Sequence, residues 1–332
     1  MSEDKKTMNE VLKELNKKFG RTAVNYADKL SSRERIPFKQ KALNDLTGGG
    51  VPRGQFTTIW GGSSCGKSST ILDLITEAQK RGLVCVYCDL EHSYDPLWAA
   101  KHGVDTSKLI YGDFSSAEEP MDALITFCKA QVADLIIVDS IQGLSPKGEQ
   151  EEKGGKEKSV EQDTMALLAR KLSQFFRMAA GVVSQANTAV VLVGQTRLDL
   201  GGFIKLETLS GGHALLHWSS IILHLRRGQK ADAPTTDKED PETGKKEKVI
   251  VGFNCVIKLN KCKVSGAVEG NEMSLPFYFQ HGLTDGEAPL AVTVEEKPFD
   301  PKELGPCEHA QDVVIPTDVK EKKKRGRKAK GV

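Results

Sequence analysis

The sequence has no long apolar run and few aromatic residues. No stretch approaches the roughly 18 apolar residues of a membrane-spanning helix, and aromatic residues make up only 6% of the 332 residues. The chain begins with the polar residues MSEDKKTMNE, which excludes the apolar core of a secretory signal there. Cysteine is scarce and odd in number, with seven scattered residues, a usage typical of reduced proteins. We therefore expect a cytoplasmic protein.

Two cysteines, Cys85 and Cys88, have the C-x-x-C spacing of a metal or redox pair. They fall in a predicted strand, where residues three apart point to opposite faces. We expect two buried thiols instead.

Charge is distributed unevenly along the chain. The net charge is +2, but residues 320–332 hold eight basic residues and one acidic residue, so the rest of the chain carries −5. A mildly acidic body therefore carries a concentrated basic tail, which could bind phosphates or simply aid solubility.

One glycine-rich stretch has the pattern G-x-x-x-x-G-K-[ST] of a phosphate-binding loop. It stands between a β-rich run, residues 56–60, and a helical run, residues 69–81. Backbone N–H groups and a helix N-terminus then face one anion. Lys67 is predicted to contact the β- and γ-phosphates of ATP, and Ser68 to bind Mg²⁺. The predicted phosphate-binding residues are Gly61, Gly62, Ser63, Ser64, Cys65, Gly66, Lys67, Ser68 and Ser69.

Three apolar runs predict buried parallel strands: residues 83–90, 133–140 and 189–194, each followed by helical sequence. Residues 249–263 and 273–281 predict closing strands. The fold class is therefore α/β with a mostly parallel sheet, whose ligands bind beyond the carboxyl ends of the strands.

Polar residues end these three runs and form the candidate site. Asp139 is predicted to orient Mg²⁺, or else to cap the next turn. Glu91 is predicted to polarise the attacking water, or else to cap a helix. Gln195 is placed to sense the γ-phosphate, or is an exposed strand-end amide. With Lys67, Glu91 and Gln195 are the predicted catalytic residues.

Composition divides the chain into three predicted parts. Residues 1–35 hold a short amphipathic helix, Met8 to Phe19, and a linker; the helix could fold back on the core or dock on a neighbouring subunit, which would make it an oligomerisation element. Residues 36–287 form the core, with long loops at 147–163 and 198–212. Residues 288–332 contain several prolines, and we expect little packed structure there.

Six blocks of the sequence follow one another in a recognisable order: residues 61–69, 89–98, 134–147, 172–187, 195–197 and 209–214. Together they resemble the RecA/UvsX class of homologous recombinases, over about Met8 to Thr284. The length and loop texture suggest a phage-type or otherwise divergent member. The resemblance implies a RecA-like P-loop ATPase core of parallel strands flanked by helices, with closing antiparallel strands.

The resemblance also implies a function. It is an ATP- and Mg²⁺-dependent recombinase that forms filaments on single-stranded DNA and exchanges strands with a homologous duplex, in recombination and repair. The resemblance also implies a single-strand-binding protein or a mediator as a partner. It places the protein in the cytoplasm of a bacterium or of a phage-infected host cell. The alternatives are an ATP-dependent DNA-coating scaffold and a RecA-core helicase motor.

Four further residues acquire nucleotide contacts from the resemblance. Asp95 would contact adenine and Trp98 would stack on it, although Trp98 at a helix start is also typical of core packing. Lys261 and Lys263 would reach a neighbouring subunit's ATP, or would simply form the solvent face of a strand.

The resemblance places DNA at both long loops, with Gln195 as the switch at the head of the second. Phe203 and Ile204 could wedge between bases. The tail resembles an AT-hook, but a generic phosphate-binding tail fits it better. Gly194 departs from the family pattern, where a polar residue is common. The predicted DNA-binding residues are Arg197, Phe203, Ile204, Lys205, Gly211, Gly212, Lys322, Lys323, Lys324, Arg325 and Arg327.

Overall fold

The computed structural model describes most of the chain up to residue 286. The described ranges are 7–20, 23–29, 32–114, 116–143, 160–199, 206–209, 213–239, 246–264 and 266–286. The chain divides into two units, Met1–Pro289 and Leu290–Val332, and the second lies outside these ranges. None of the described helices combines the length and apolarity needed to cross a bilayer.

The first helix, α1 (Met8–Phe19), is capped at both ends, and none of its residues is buried. Its capping box joins Thr7 and Glu10 reciprocally, and Gly20 ends it with φ 65°. The later helices are α2 (Lys41–Thr47), α3 (Lys67–Gln79), α4 (Pro96–Lys101), α5 (Glu118–Ala130), α6 (Val160–Ala186) and α7 (His213–Trp218).

The strands are β1 (Arg35–Ile36), β2 (Val51–Pro52), β3 (Phe56–Gly61), β4 (Cys85–Asp89), β5 (Leu109–Asp113), β6 (Leu135–Asp139), β7 (Ala189–Asp199), β8 (Leu206–Leu209), β9 (Ser219–Arg227), β10 (Thr235–Glu239), β11 (Lys246–Ile250), β12 (Gly252–Cys262), β13 (Glu272–Tyr278) and β14 (Gly282–Leu283). The main sheet has the order β14-β13-β12-β9-β3-β7-β6-β4-β5, with β8 paired to β7. Strands β9 to β5 in this order are parallel, and β12, β13 and β14 close the sheet antiparallel. The predicted fold class is confirmed.

The central strands are apolar on both faces because helices cover both faces of the sheet. In β6, Leu135 and Ile137 pack with α3 in one buried cluster, whereas Ile136 and Val138 pack with α5, α6 and α7 in the other. The same alternation separates the C-x-x-C cysteines. Cys85 lies in the first cluster and Cys88 in the second, and burial raises both thiol pKa values to about 12. The expectation of two buried thiols is confirmed.

The structure corrects the bounds of both long loops. Helix α6 begins at Val160, so the last residues of the predicted loop 147–163 are helical. The acidic residues Glu161 and Asp163 favour a helix N-terminus there because of the helix dipole.

Within the second predicted loop, 198–212, residues 198–199 and 206–209 are strand and pair as a β-hairpin. Strand β7 continues to Asp199 and pairs antiparallel with β8, with Thr196 opposite Leu209. The ladder pairs the backbone groups of residues 196–199 with those of residues 206–209, which a solvated loop would leave to water. Strand β5, in contrast, was not predicted, because its sequence, LIYGD, lacks a continuous apolar run.

Replacing Phe176 with Ala should lower the free energy of unfolding by about 3–5 kcal/mol. Its side chain is fully buried, with ring centroids 5.0 Å from Phe56 and 6.1 Å from Trp218. Met178, on the same helix, is 56% exposed, so Met178→Ala should cost no more than about 0.5 kcal/mol. Urea unfolding of both variants measures the difference. Equal losses would contradict the described packing of α6.

Candidate functional site

The phosphate-binding loop lies between β3 and α3, and its backbone adopts left-handed conformations. Ser64 has φ 53° and Gly66 has φ 100°. A Cβ on Gly61 would lie 2.0 Å from the carbonyl oxygen of Leu225. Glycine is required at this position because β9 packs directly against the loop.

Lys67 begins α3 and is buried with its ammonium facing the loop. Its Nζ donates to the carbonyl oxygens of Gly61 at 3.0 Å and Gly62 at 2.7 Å. Ser68 follows with an exposed hydroxyl at the N-terminus of the same helix. This ammonium, hydroxyl and helix N-terminus are the chemistry that a magnesium-bound triphosphate requires.

Two aspartates stand side by side at the carboxyl ends of β4 and β6. Asp89 and Asp139 are in register, and both are buried. The Tyr87 hydroxyl donates to Oδ2 of Asp139 at 2.7 Å. Burial raises the pKa of Asp139 to about 6; the Tyr87 hydrogen bond opposes this shift, and the carboxylates of Glu91 and Asp89 add to it. Asp139 is therefore where the sequence predicted a Mg²⁺-orienting carboxylate.

Asp89 was not predicted as a site residue, yet it holds the segment that carries Glu91. Its carboxylate accepts hydrogen bonds from the backbone N–H groups of Glu91 at 3.1 Å and Tyr94 at 2.9 Å. The Tyr111 hydroxyl donates to it at 3.2 Å. The sequence signal was a carboxylate ending an apolar strand.

Glu91 and Gln195 are joined by a hydrogen bond although 104 residues separate them. Gln195 Nε2 donates to Glu91 Oε1 at 2.7 Å, and the Ser140 hydroxyl donates to the same oxygen. Gln142 Nε2 donates to the Gln195 carbonyl oxygen at 3.2 Å. Gln195 also pairs with Gly61, the first loop residue. The predicted base and the predicted sensor therefore lie together beside the loop.

Ser140 and Gln142 were missed by sequence reasoning. Both follow Asp139 within a few residues, and a short helical turn, Ile141–Gly143, brings them back over the strand ends. Their position directly after the predicted Mg²⁺-orienting residue was the available signal.

The glycine at position 194 has a steric explanation. A Cβ there would lie 2.7 Å from Cδ1 of Leu209 and 3.2 Å from Cβ of Trp60. Leu209 of β8 fills the space that a larger residue would need. The hairpin therefore packs against the residue that precedes Gln195.

An open cleft of about 600 Å³ lies beside the loop, and its aromatic lining was not predicted. Arg227 Nε donates to the Ser64 carbonyl oxygen at 2.8 Å, and its guanidinium lies 4.4 Å from the centre of the Phe253 ring. Phe253 stacks on Phe277 at 4.6 Å. With Phe279, these side chains give the cleft flat apolar walls next to a phosphate-binding loop.

Asp95 directly precedes α4, and Trp98 lies in its first turn. The Asp95 carboxylate caps this helix, accepting from the N–H groups of Leu97 at 2.9 Å and Trp98 at 3.3 Å. Trp98 is half-buried and packs against the core. Capping and core packing are thus both observed, and the predicted adenine contact stays a prediction.

Lys261 and Lys263 point away from the phosphate-binding loop of their own chain. Lys261 is opposite Ile222 near the start of β9, whereas the loop lies beside the end of β9. Lys261 donates to the carbonyl oxygen of Leu216, and Lys263 donates to that of His217 at 3.0 Å, at the C-terminus of α7. Burial, followed by the charge of Lys263, lowers the pKa of Lys261 to about 8.

Most predicted DNA contacts cannot be placed. Phe203, Ile204, Lys205, Gly211, Gly212 and the basic tail lie outside the described residues, as does the loop from 144 to 159. Arg197 is described as backbone in β7, opposite Thr208.

Replacing Asp139 with Asn should stabilise the metal-free protein increasingly as the pH rises. Because the folded-state pKa lies above the ordinary 3.8, ionising this buried carboxyl costs stability between pH 3.8 and about 6, and the cost stays constant above. Asn carries no charge and still offers an oxygen to Tyr87. The full gain corresponds to at most about 3 kcal/mol.

Urea unfolding in EDTA from pH 4.5 to 8 measures this gain. The exposed Asp122, replaced with Asn, serves as the matched control for the loss of one carboxylate. A gap between Asp139→Asn and the parent that does not widen with pH would contradict the assigned cost of ionisation.

Comparison with known proteins places this site in a family. A family model described as the RecA N-terminal domain matches residues 6–282. The chain is 35% identical to Protein RecA of Campylobacter lari over 257 residues, which cover 76% of this chain and 72% of that protein. It is 33% identical to Protein RecA of Thermus aquaticus over 288 residues, covering 85% and 79%.

A third relative, Protein RecA of Campylobacter hominis, is 36% identical over 262 residues, covering 77% of this chain and 72% of that protein. The matched span contains the phosphate-binding loop, both aspartates, and the Glu91–Gln195 pair. The chain therefore belongs to the RecA family and is a recombinase of DNA recombination and repair.

Proposed function

We propose that the protein is a DNA-dependent ATPase that polymerises on single-stranded DNA, pairs it with a homologous duplex and exchanges strands. The observation that carries this proposal is the 2.7 Å hydrogen bond between Gln195 and Glu91. It joins the candidate catalytic base to β7, the strand that continues into the β7–β8 hairpin. This hydrogen bond therefore connects the candidate site of ATP hydrolysis with a predicted DNA-binding loop.

In this proposal the loop amides and Lys67 hold the phosphates, and Ser68 and Asp139 orient Mg²⁺. Bound Mg²⁺ would supply neutralisation of charge on the phosphate oxygens. Glu91 accepts a proton from the attacking water. The Ser140 hydroxyl donates to Oε1 of Glu91, so we assign Oε2 to the water.

The same contacts suggest how ATP binding and hydrolysis could change the conformation of the predicted DNA loop. Gln195 would exchange its bond to Glu91 for a γ-phosphate oxygen, and β7 would move with it. Leu209 packs over Gly194, so β8 would follow the shift. Ordering of the hairpin by the triphosphate and its release after hydrolysis form an order–disorder switch.

In this proposal each of the three predicted parts of the chain has its own role in the filament. Residues 1–35 would mediate oligomerisation, with α1 docking on the next subunit. Residues 36–287 would form the ATPase core, with one DNA loop before α6 at residues 147–159 and the other at the β7–β8 hairpin. Residues 288–332 would add DNA affinity through the basic tail. A single-strand-binding protein or a mediator completes the proposed cytoplasmic partners.

The base of ATP would contact Asp95 and stack on Trp98. Lys261 and Lys263 would contact the ATP of the adjacent subunit, because they face away from their own loop. A DNA-coating scaffold and a helicase motor are the rival functions. Pairing with a homologous duplex separates the recombinase from the first, and directional unwinding by closed rings would identify the second.

Replacing Glu91 with Gln should abolish ATP turnover while leaving assembly on single-stranded DNA intact. The amide keeps an oxygen for Ser140 and Gln195 but cannot accept the water's proton. We expect kcat to fall about 10²- to 10⁴-fold. Phosphate release measures turnover, and sedimentation with DNA and ATP measures assembly.

The control is Glu77→Gln, because Glu77 pairs with Lys80 and Arg81 at the far end of α3. This variant should hydrolyse ATP like the parent. Unchanged hydrolysis in Glu91→Gln would refute the assigned base, and loss of assembly in that variant would mean that Glu91 is structural.

The trans placement of Lys261 and Lys263 predicts complementation between two inactive variants. Lys261→Ala/Lys263→Ala should lose DNA-dependent hydrolysis, as Glu91→Gln does. When the two are mixed before assembly, some interfaces combine an intact Glu91 with intact lysines. An equal mixture should recover about a quarter of the parent activity, since head-to-tail contacts then form at random.

The matched control is Lys258→Ala on the same strand, which should remain active alone because Lys258 is exposed and contacts no predicted site. Failure of the mixed variants to recover any activity, with assembly intact, would place the lysines' function within their own subunit.

A further inference from the structure

A buried acid–imidazole pair joins the phosphate-binding helix to the helix that carries Trp98. Asp73, in α3, is fully buried, and its Oδ1 lies 2.8 Å from Nδ1 of His102, which directly follows α4. Carboxylate oxygens only accept hydrogen bonds, so Nδ1 carries the proton. The Asp73–His102 pair thus has one defined donor and one defined ring orientation.

Further bonds hold both residues from other directions. Gln40 Nε2 donates to Oδ2 of Asp73 at 2.8 Å, and the Lys39 ammonium lies 3.4 Å from Oδ1. The Thr76 hydroxyl donates to the His102 carbonyl oxygen at 3.1 Å. Two side chains of α3 therefore hold His102 at the end of α4: Asp73 binds its ring and Thr76 binds its backbone carbonyl.

The imidazole is an unusual choice for this space. Among the described residues, the buried Nε2 of His102 has no hydrogen-bond partner, a cost that an apolar residue would avoid. The ring also demands glycine at position 282, where a Cβ would lie 2.5 Å from Cε1 of His102. Packing alone therefore does not explain the histidine.

What the imidazole does contact is the indole of Trp98. The two ring centroids are 4.8 Å apart, and the planes meet at 75°, an edge-to-face arrangement. The Asp73 hydrogen bond fixes the imidazole plane, and the imidazole in turn supports the buried side of the indole. Trp98 is half-buried, so its remaining surface is open to a ligand.

We propose that His102 is a positioning residue that fixes Trp98, the stacking surface for the purine base of a nucleoside triphosphate, relative to the phosphate-binding helix. This inference rests on the proposed nucleotide function of Trp98. In this proposal the contacts Asp73–His102–Trp98, which begin on the phosphate-binding helix, raise the affinity for the purine base of the nucleotide. They do not affect the affinity for its phosphates.

A double-mutant cycle between His102 and Trp98 tests the proposal. Dissociation constants for Mg·ATP and for Mg·tripolyphosphate, which has no base, are measured for the full chain by calorimetry. His102→Leu should weaken ATP about 5-fold or more, within the range of one base–aromatic stack, and leave tripolyphosphate unchanged. In a Trp98→Leu background the same change should have almost no further effect on ATP.

The control is Thr188→Val, which removes buried hydrogen bonds to the Ala133 carbonyl oxygen at 2.7 Å and to Cys128, both in the buried cluster that does not contain α3. It should alter stability without altering the affinity for either ligand. If His102→Leu does not fold, Asp73→Asn replaces it, since Asn preserves the size but weakens the bond to the imidazole.

Each outcome is decisive. Equal loss of ATP affinity with and without Trp98, or equal loss for ATP and tripolyphosphate, would overturn the positioning role. If the parent chain binds ATP no more tightly than tripolyphosphate and Trp98→Leu changes neither, the assumed base contact of Trp98 fails first. If the parent binds neither ligand, the proposed ATPase function itself fails.

Discussion

The parallel register of β3, β7, β6 and β4 is the constraint on which the candidate site depends. It brings four strand ends to one edge of the sheet, where the phosphate-binding loop, Asp89, Asp139 and Gln195 lie. The pairing of β6 with β7 stops at Val138 and Leu192, whereas β7 and β3 remain paired to Gln195 and Gly61. This extra length of β7 lets Gln195 reach Glu91, which a slip of one residue would prevent because it would turn the side chain to the other face.

Much of this arrangement could be predicted from local sequence. Apolar runs that end in a polar residue located Asp139 and Gln195, and the glycine pattern located Lys67, because parallel strands and phosphate loops leave strong local signals. Contacts between distant segments leave none. The bond of Ser140 to Glu91, the aromatic wall formed by Phe253 and Phe277, and the β7–β8 hairpin all depend on tertiary pairing.

The predicted site residues also divide by location. The predicted catalytic residues and the phosphate-binding loop lie at one edge of the sheet, whereas Lys261 and Lys263 bind the C-terminus of α7 farther along the sheet. An ATP site that includes these lysines has to be shared between subunits, and polymerisation would then be a condition for turnover. The proposed role of the Asp73–His102 pair would add a link within one subunit, between the phosphate-binding helix and the surface for the base.

The most direct test of this account is electron microscopy of the full chain on single-stranded DNA, with a non-hydrolysable ATP analogue, with ADP and without nucleotide. The account predicts helical filaments in which the analogue lies between adjacent subunits, with Lys261 and Lys263 of one subunit facing the phosphates held by the next. Closed rings, or DNA coating that is the same in all three nucleotide states, would contradict it.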